Sequence, residues 1–329
     1  MDNLVFLLYE LIKFILVAVP VLISVAYLTL AERKIIGYSQ TRRGPNIVGI
    51  YGLLQPLADG IKLFSKEMII PNHVSIFLYF FFSPILALTL GLVVWGLMPL
   101  NYNAVMSDIN LGILIIFALS SVGVYAILMS GWSSNSKYAF MGALRAAAQM
   151  ISYEVSIGLI IITVILCGGT MNLMNIINAQ EQTIWFIFPL LPAAFMFFIS
   201  CLAETNRAPF DLTEGESELV SGYNVEYSAM TFALFFLAEY AHIIFMSFLF
   251  AVVFLGGWSF ILSSPIVLFL KATFVIFLFV WVRTSFPRLR YDQLMSLLWK
   301  TYLPLSLSLI ILVNSILWCI NGLPPLSCI

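Results

Sequence analysis

Residues 138–166 read YAFMGALRAAAQMISYEVSIGLIIITVIL, an apolar run that carries one base, Arg145, and one acid, Glu154. A helix needs about 20 apolar residues to cross the hydrocarbon layer of a bilayer, and this run exceeds that. Backbone amides cannot stay unpaired in hydrocarbon, and the strict alternation of a barrel strand is absent, so the run reads as a transmembrane helix. A carboxylate at the centre of such a helix costs about 2.5–3.5 kcal/mol on insertion scales. Glu154 sits near that centre, while Arg145 lies nearer one end.

The rest of the chain is of the same kind. Of its 329 residues 62% are hydrophobic and 9% charged, whereas soluble domains carry about 25% charged residues. Apolar runs at roughly 4–30, 74–97, 111–129, 184–202, 230–255, 266–284 and 303–320 join the quoted one, which predicts an all-α, polytopic transmembrane helical bundle of about eight spans. The first run lacks a basic flank and a small-residue cleavage site, so it reads as a span and not as a removable signal. Without internal repeats or low-complexity linkers, residues 1–329 form a single integral membrane domain.

Orientation follows the basic residues. Arg33, Lys34, Arg42, Arg43, Lys62 and Lys66 follow the first span, and alternate connections thereafter carry Lys137, Arg207, Arg288, Arg290 and Lys300. The intervening connections hold no Lys or Arg, which places both termini on the outer side. Within the first inner segment, Leu53, Leu54, Leu57, Ile61 and Phe64 recur at helical spacing, opposite Gln55, Asp59, Lys62 and Lys66 for the most part. That pattern predicts an interfacial amphipathic helix. Pro56 and Gly60 disfavour a helix interior, and a loop packed on a partner protein is the alternative.

Two acids lie inside spans: Glu154, and Glu239 beside Tyr240 and one turn before His242. Each could simply be paired with a buried hydroxyl or base. Isolated membrane acids with few bases at similar depth favour proton or ion handling instead. The densest cluster comprises Glu204, Asp211, Glu214, Glu216, Glu218 and Glu226, with Arg207 as the one base between Glu204 and Glu239. Like charges so close cannot all ionise cheaply, so some share protons. A solvated acidic loop is the plain reading, but this stretch is short, hemmed by apolar residues and on the side where bases normally prevail.

Several chemistries find no support. The sequence has no G-x-G-x-x-G or Walker pattern. Its cysteines, Cys167, Cys201, Cys319 and Cys328, form no C-x-x-C pair, and the histidines are His73 and His242 alone. No metal site, iron–sulfur cluster, haem or Ser-His-acid arrangement is expected from these. A net charge of −1 gives no reason to expect a nucleic-acid partner.

The polar runs resemble one family closely. Ala31-Glu32-Arg33-Lys34, Arg43-Gly44-Pro45-Asn46, the Gly52–Asp59 run, the Gly131–Tyr138 run, Ser152-Tyr153-Glu154, the Leu202–Tyr227 block, Ala238-Glu239-Tyr240, and Phe286-Pro287-Arg288 with Arg290-Tyr291-Asp292 are similar to subunit 1, called H in bacteria, of respiratory complex I, NADH:ubiquinone oxidoreductase. The resemblance covers about residues 31–299 and implies a subunit of a proton-translocating enzyme, without a redox centre or catalytic group of its own. It implies a ubiquinone chamber shared with soluble-arm quinone-site and iron–sulfur subunits, neighbouring membrane subunits as further partners, and ubiquinone as substrate. By position, Glu204, Arg207, Asp211, Glu214, Glu216 and Glu218 resemble the charged wall below that chamber. Glu154, Glu226 and Glu239 resemble its continuation as a proton relay toward the membrane centre. Glu32, Arg33, Arg288 and Arg290 fall at the rim facing the soluble arm. The expected location is the mitochondrial inner membrane, or a bacterial plasma membrane. The alternatives are the equivalent subunit of a membrane-bound hydrogenase and a stand-alone proton-coupled transporter.

Overall fold

The computed structural model describes residues 2–74, 77–102, 104–212, 221–259, 264–320 and 322. Eleven α-helices account for most of them: α1 (Asp2–Ser39), α2 (Gln55–Ser65), α3 (Phe77–Val93), α4 (Gly112–Ser133), α5 (Lys137–Gly168), α6 (Leu173–Gln182), α7 (Leu191–Glu204), α8 (Ala229–Phe254), α9 (Pro265–Ser285), α10 (Tyr291–Leu297) and α11 (Leu303–Ile320). A π turn, Leu298–Tyr302, joins α10 to α11, so that Tyr291–Ile320 forms one long apolar rod. Among the described residues, seven helical segments are long and apolar enough to cross a membrane.

The remaining expected span, residues 184–202, is shorter than its apolar run. Pro192 stands in the first turn of α7, where its missing N–H costs nothing, and the helix starts there instead of near residue 184. Fourteen residues of helix reach only about 21 Å. Phe186 and Leu190, in the turns before it, are buried and complete the apolar path. The connection before α7 also holds a helix that the hydrophobic runs do not announce: α6 opens on Asn172, whose side chain accepts from the Met174 amide, and buries Leu173, Ile176 and Ile177.

The expected amphipathic helix is present as α2. Pro56 lies in its first turn and therefore does not disturb it. Leu57, Ile61 and Phe64 are exposed along one face, as an interfacial helix requires. A 3₁₀ turn leads into it, and Gly52 there has φ of 76°, with the Pro45 carbonyl oxygen 2.3 Å from where a Cβ would stand. Only glycine fits that place.

The most enclosed helix is α8, which packs against α1, α2, α3, α6, α7 and α9. The outer helices turn apolar side chains outward: Ile311 of α11 is 70% exposed and Leu16 of α1 is 67% exposed, as expected where lipid is the solvent. Helices α4 and α5 cross closely because Gly131 faces Ala143.

The hydrogen bonds among the connections fall into two groups. In one, Gln180 donates to the Val252 and Val253 carbonyls, and Asn172 donates to Asp108. Lys271 joins them, donating to the carbonyls of Leu255, Gly257 and Ser259. In the other, Gln149 donates to Ala203 and Phe210, the Leu289 amide to Pro209, and Asn135 to His73.

Candidate functional site: two polar chambers on one helix

The end of α7 organises the site. Beyond Glu204 the chain turns through Thr205 and Asn206, whose φ is 51°, and runs back toward α5. Gln149 of α5 grips both arms of this turn, at 2.8 Å to the Ala203 oxygen and 2.9 Å to the Phe210 oxygen. The amide adds a second donor to each of these carbonyls, which already accept from the Asn206 and Leu212 amides, and so ties the turn to α5. Glu204 is 3% exposed, and its Oε1 lies 3.4 Å from His242 Nε2 of α8. Its Oε2 is buried with no partner.

Glu204 opens into a cavity of about 110 Å³ between α3, α4, α5, α7 and α8. Glu154, Glu239, His242, Ser120 and Tyr223 share its wall with apolar residues such as Leu90, Val94, Ile116 and Phe245. Ser120 donates to Glu154 Oε1 at 3.1 Å. Three of the acids singled out in the sequence, from three separate elements, therefore meet in one space. That space has room for several waters, and its polar lining gives them partners.

A second polar chamber lies on another side of α8. Glu32 of α1 is 5% exposed and accepts from Arg207 Nη1 at 3.2 Å, from Arg283 of α9, and from the Tyr240 hydroxyl at 2.6 Å. The Arg207 guanidinium stands 4.3 Å above the Tyr240 ring. Burial works against the charge of Arg207, but Glu32, with Tyr240 and Glu239 nearby, more than offsets it and raises the guanidinium above its ordinary value. A void of about 20 Å³ adjoins the cluster, bounded by Leu28, Ile243 and Phe279. One carboxylate facing two guanidiniums leaves a net positive, largely buried spot, suited to an electronegative group or to developing negative charge.

Other predicted residues fall elsewhere. Arg33, next to Glu32, points outward and pairs with Asp59 of α2 at 2.8 Å, which ties the amphipathic helix to α1. Asp211 is buried, accepts from Arg288 at 2.8 Å through Oδ2, and leaves Oδ1 without a partner. Arg290 is exposed at the start of α10. Glu226 lies 3.6 Å from His73 and does not line the cavity. Beside it, Tyr227 stacks on Phe80 at 4.3 Å and bonds Ser83, and burial pushes its phenol above the ordinary value. Glu214, Glu216 and Glu218 lie outside the described residues.

Reasoning from sequence passes over Tyr240, His242, Arg283, Ser120 and Gln149 as site residues. The signal is partial: Tyr240 and His242 follow Glu239 on α8, and Arg283 closes an apolar run. Nothing local marks Ser120 or Gln149.

Comparison with known proteins bears on what such a site serves. A family model described as NADH dehydrogenase matches residues 12–314. NADH-ubiquinone oxidoreductase chain 1 of Metridium senile is 64% identical over 322 residues, covering 95% of each chain. The protein of the same name from Arabidopsis thaliana is 56% identical over 316 residues, 94% of this chain and 97% of its own. In Rhodospirillum rubrum, the NADH-quinone oxidoreductase subunit designated H is 54% identical over 316 residues, 94% of each chain.

Proposed function

The chain belongs to the NADH dehydrogenase family that includes chain 1 of NADH-ubiquinone oxidoreductase, and from that membership we propose that it forms part of a ubiquinone chamber and couples quinone reduction to proton translocation through an acidic relay. It is a multi-pass membrane subunit of the oxidoreductase. Its partners are then the other subunits of that complex, with iron–sulfur subunits delivering electrons to ubiquinone at the interface. Its place is the mitochondrial inner membrane.

The observation that carries this reading is the meeting of Glu154, Glu204 and Glu239 in one cavity beside the doubly paired Glu32. Reducing a quinone consumes two protons and creates negative charge transiently. The Glu32–Arg207–Arg283 cluster is built to respond to such charge. Arg207 is three residues from Glu204, and Tyr240 is bonded to Glu32 while adjoining Glu239. A change at the cluster therefore reaches both acids through very short covalent paths. Carboxylates sharing a wet, low-dielectric space titrate as a group, so a shift in one moves protons among the others. Glu214, Glu216, Glu218 and Glu226 extend the relay on the chamber side in this proposal. Asp211, Arg33, Arg288 and Arg290 form the rim toward the soluble arm.

The test is Glu204→Gln in the assembled complex, with NADH:ubiquinone turnover and protons moved per NADH both recorded. Loss of turnover or a lowered ratio in an intact complex supports the relay. Unchanged values for both would remove Glu204 from it.

A further inference from the structure

Among the described residues lining the acidic cavity, His242 is the one able to carry a positive charge. Its Nε2 faces Oε1 of Glu204 at 3.4 Å, and its ring lies against Phe245. Glu154 on α5, Glu204 at the end of α7, Glu239 on the histidine's own helix and Tyr223 are the other titratable groups there. Helices α3 and α4 contribute apolar residues, glycine and Ser120. The unpartnered Oε2 of Glu204 lies in the same carboxylate that His242 addresses.

We propose that His242 is a proton-carrying residue of this cavity, passing protons between cavity water and the buried carboxylate of Glu204. This rests on the relay reading above and adds a basic member to it. An imidazole can take a proton at one nitrogen while giving up the one on the other, which no carboxamide can do. In the proposed step, a hydronium in the cavity gives its proton to Nδ1 of a neutral ring and is left as water. The Nε2 proton moves to Glu204 Oε1, and the ring is left neutral in its other tautomer. The pair thus gains one proton, and Glu204 loses its negative charge. The carboxylate ends neutral inside an apolar wall, and the reverse sequence returns the proton to the cavity. If His242 only held Glu204 in place, an amide of similar size would do as well.

The experiment uses the whole complex in sealed membrane vesicles, with rates normalised to the amount of assembled enzyme. His242→Asn keeps a hydrogen-bond donor but cannot titrate, and His242→Ala leaves space for added imidazole. His242→Asn is expected to lose turnover and proton translocation several-fold. Its pH–rate profile should also differ from that of the wild type, because a carboxamide exchanges no proton. Imidazole should restore His242→Ala, with a pH dependence that follows the added base. A His242→Asn profile that superimposes on the wild type would overturn the proposal, as would a His242→Ala defect that imidazole leaves untouched. Glu204→Gln in the same series separates the two levels. If it has no effect, the relay reading itself fails. If it uncouples the enzyme while His242→Asn behaves as wild type, the relay stands and only the role of His242 falls.

Discussion

Glu239 and Tyr240 are consecutive residues of α8 that serve different chambers: Glu239 lines the acidic cavity, while the Tyr240 hydroxyl donates to Glu32 at 2.6 Å in the charged cluster. Successive side chains on a helix diverge by about 100°, so one turn of α8 can act as a wall between two polar spaces. The turn after α7 does the same with Glu204 and Arg207. Coupling between the chambers therefore needs no long pathway, only the movement of two short segments.

Tyr240→Phe removes a donor from a buried carboxylate while keeping the ring beneath Arg207. A hydrogen bond to a charged group is worth about 1.5–3 kcal/mol. The expected result is an assembled complex with lower ubiquinone turnover and little change in thermal stability beyond that range. Thermal inactivation and turnover measured side by side check it.

Arg207→Met leaves Glu32 with Arg283 and Tyr240 alone, and removes the cation stacked on Tyr240. Breaking a buried ion pair costs about 3–5 kcal/mol when the remaining charge is stranded. Arg283 softens that cost, so Arg207→Met combined with Arg283→Met should destabilise the complex by more than the sum of the single changes. A double-mutant cycle on thermal inactivation measures the difference.

Gln149→Leu deletes both hydrogen bonds to the turn after α7. Both carbonyls keep a backbone partner, the Asn206 amide on Ala203 and the Leu212 amide on Phe210, so the cost is that of two ordinary hydrogen bonds, about 0.5–1.5 kcal/mol each. The turn carrying Glu204 and Arg207 should loosen, which limited proteolysis near residues 205–210 would register, and turnover should fall with it.

Gly131→Val brings a side chain to a place where a Cβ would stand 2.3 Å from that of Ala143. Helices α4 and α5 would have to separate, carrying Ser120 away from Glu154. The outcome expected on a native gel is little or no assembled complex.

Much of this is legible in the sequence, for reasons that mark its limits. A membrane helix is announced by its own local composition, so α5 and its central Glu154 can be read directly. The amphipathic α2 is readable from its period, and Pro56 misleads only because its position in the first turn is not evident from composition. α6 is ten residues of mixed polarity and looks like any connection. The start of α7 depends on Pro192 in a run that is apolar throughout. The charged cluster is hidden because its members are far apart: Glu32 meets Arg207 across 175 residues and Arg283 across 251. Glu32 and Arg33 are adjacent in the sequence, yet on the helix one turns inward to Arg207 and Arg283 and the other outward to Asp59, a divergence that composition does not reveal.

The most direct measurement is the number of protons translocated per NADH oxidised by the intact complex in sealed vesicles, for wild type and Glu154→Gln/Glu239→Gln. Both substitutions keep the shape of the cavity wall while removing two of its proton-binding groups. The relay account predicts a lowered ratio, or turnover lost together with pumping. A full wild-type ratio at wild-type turnover would contradict it.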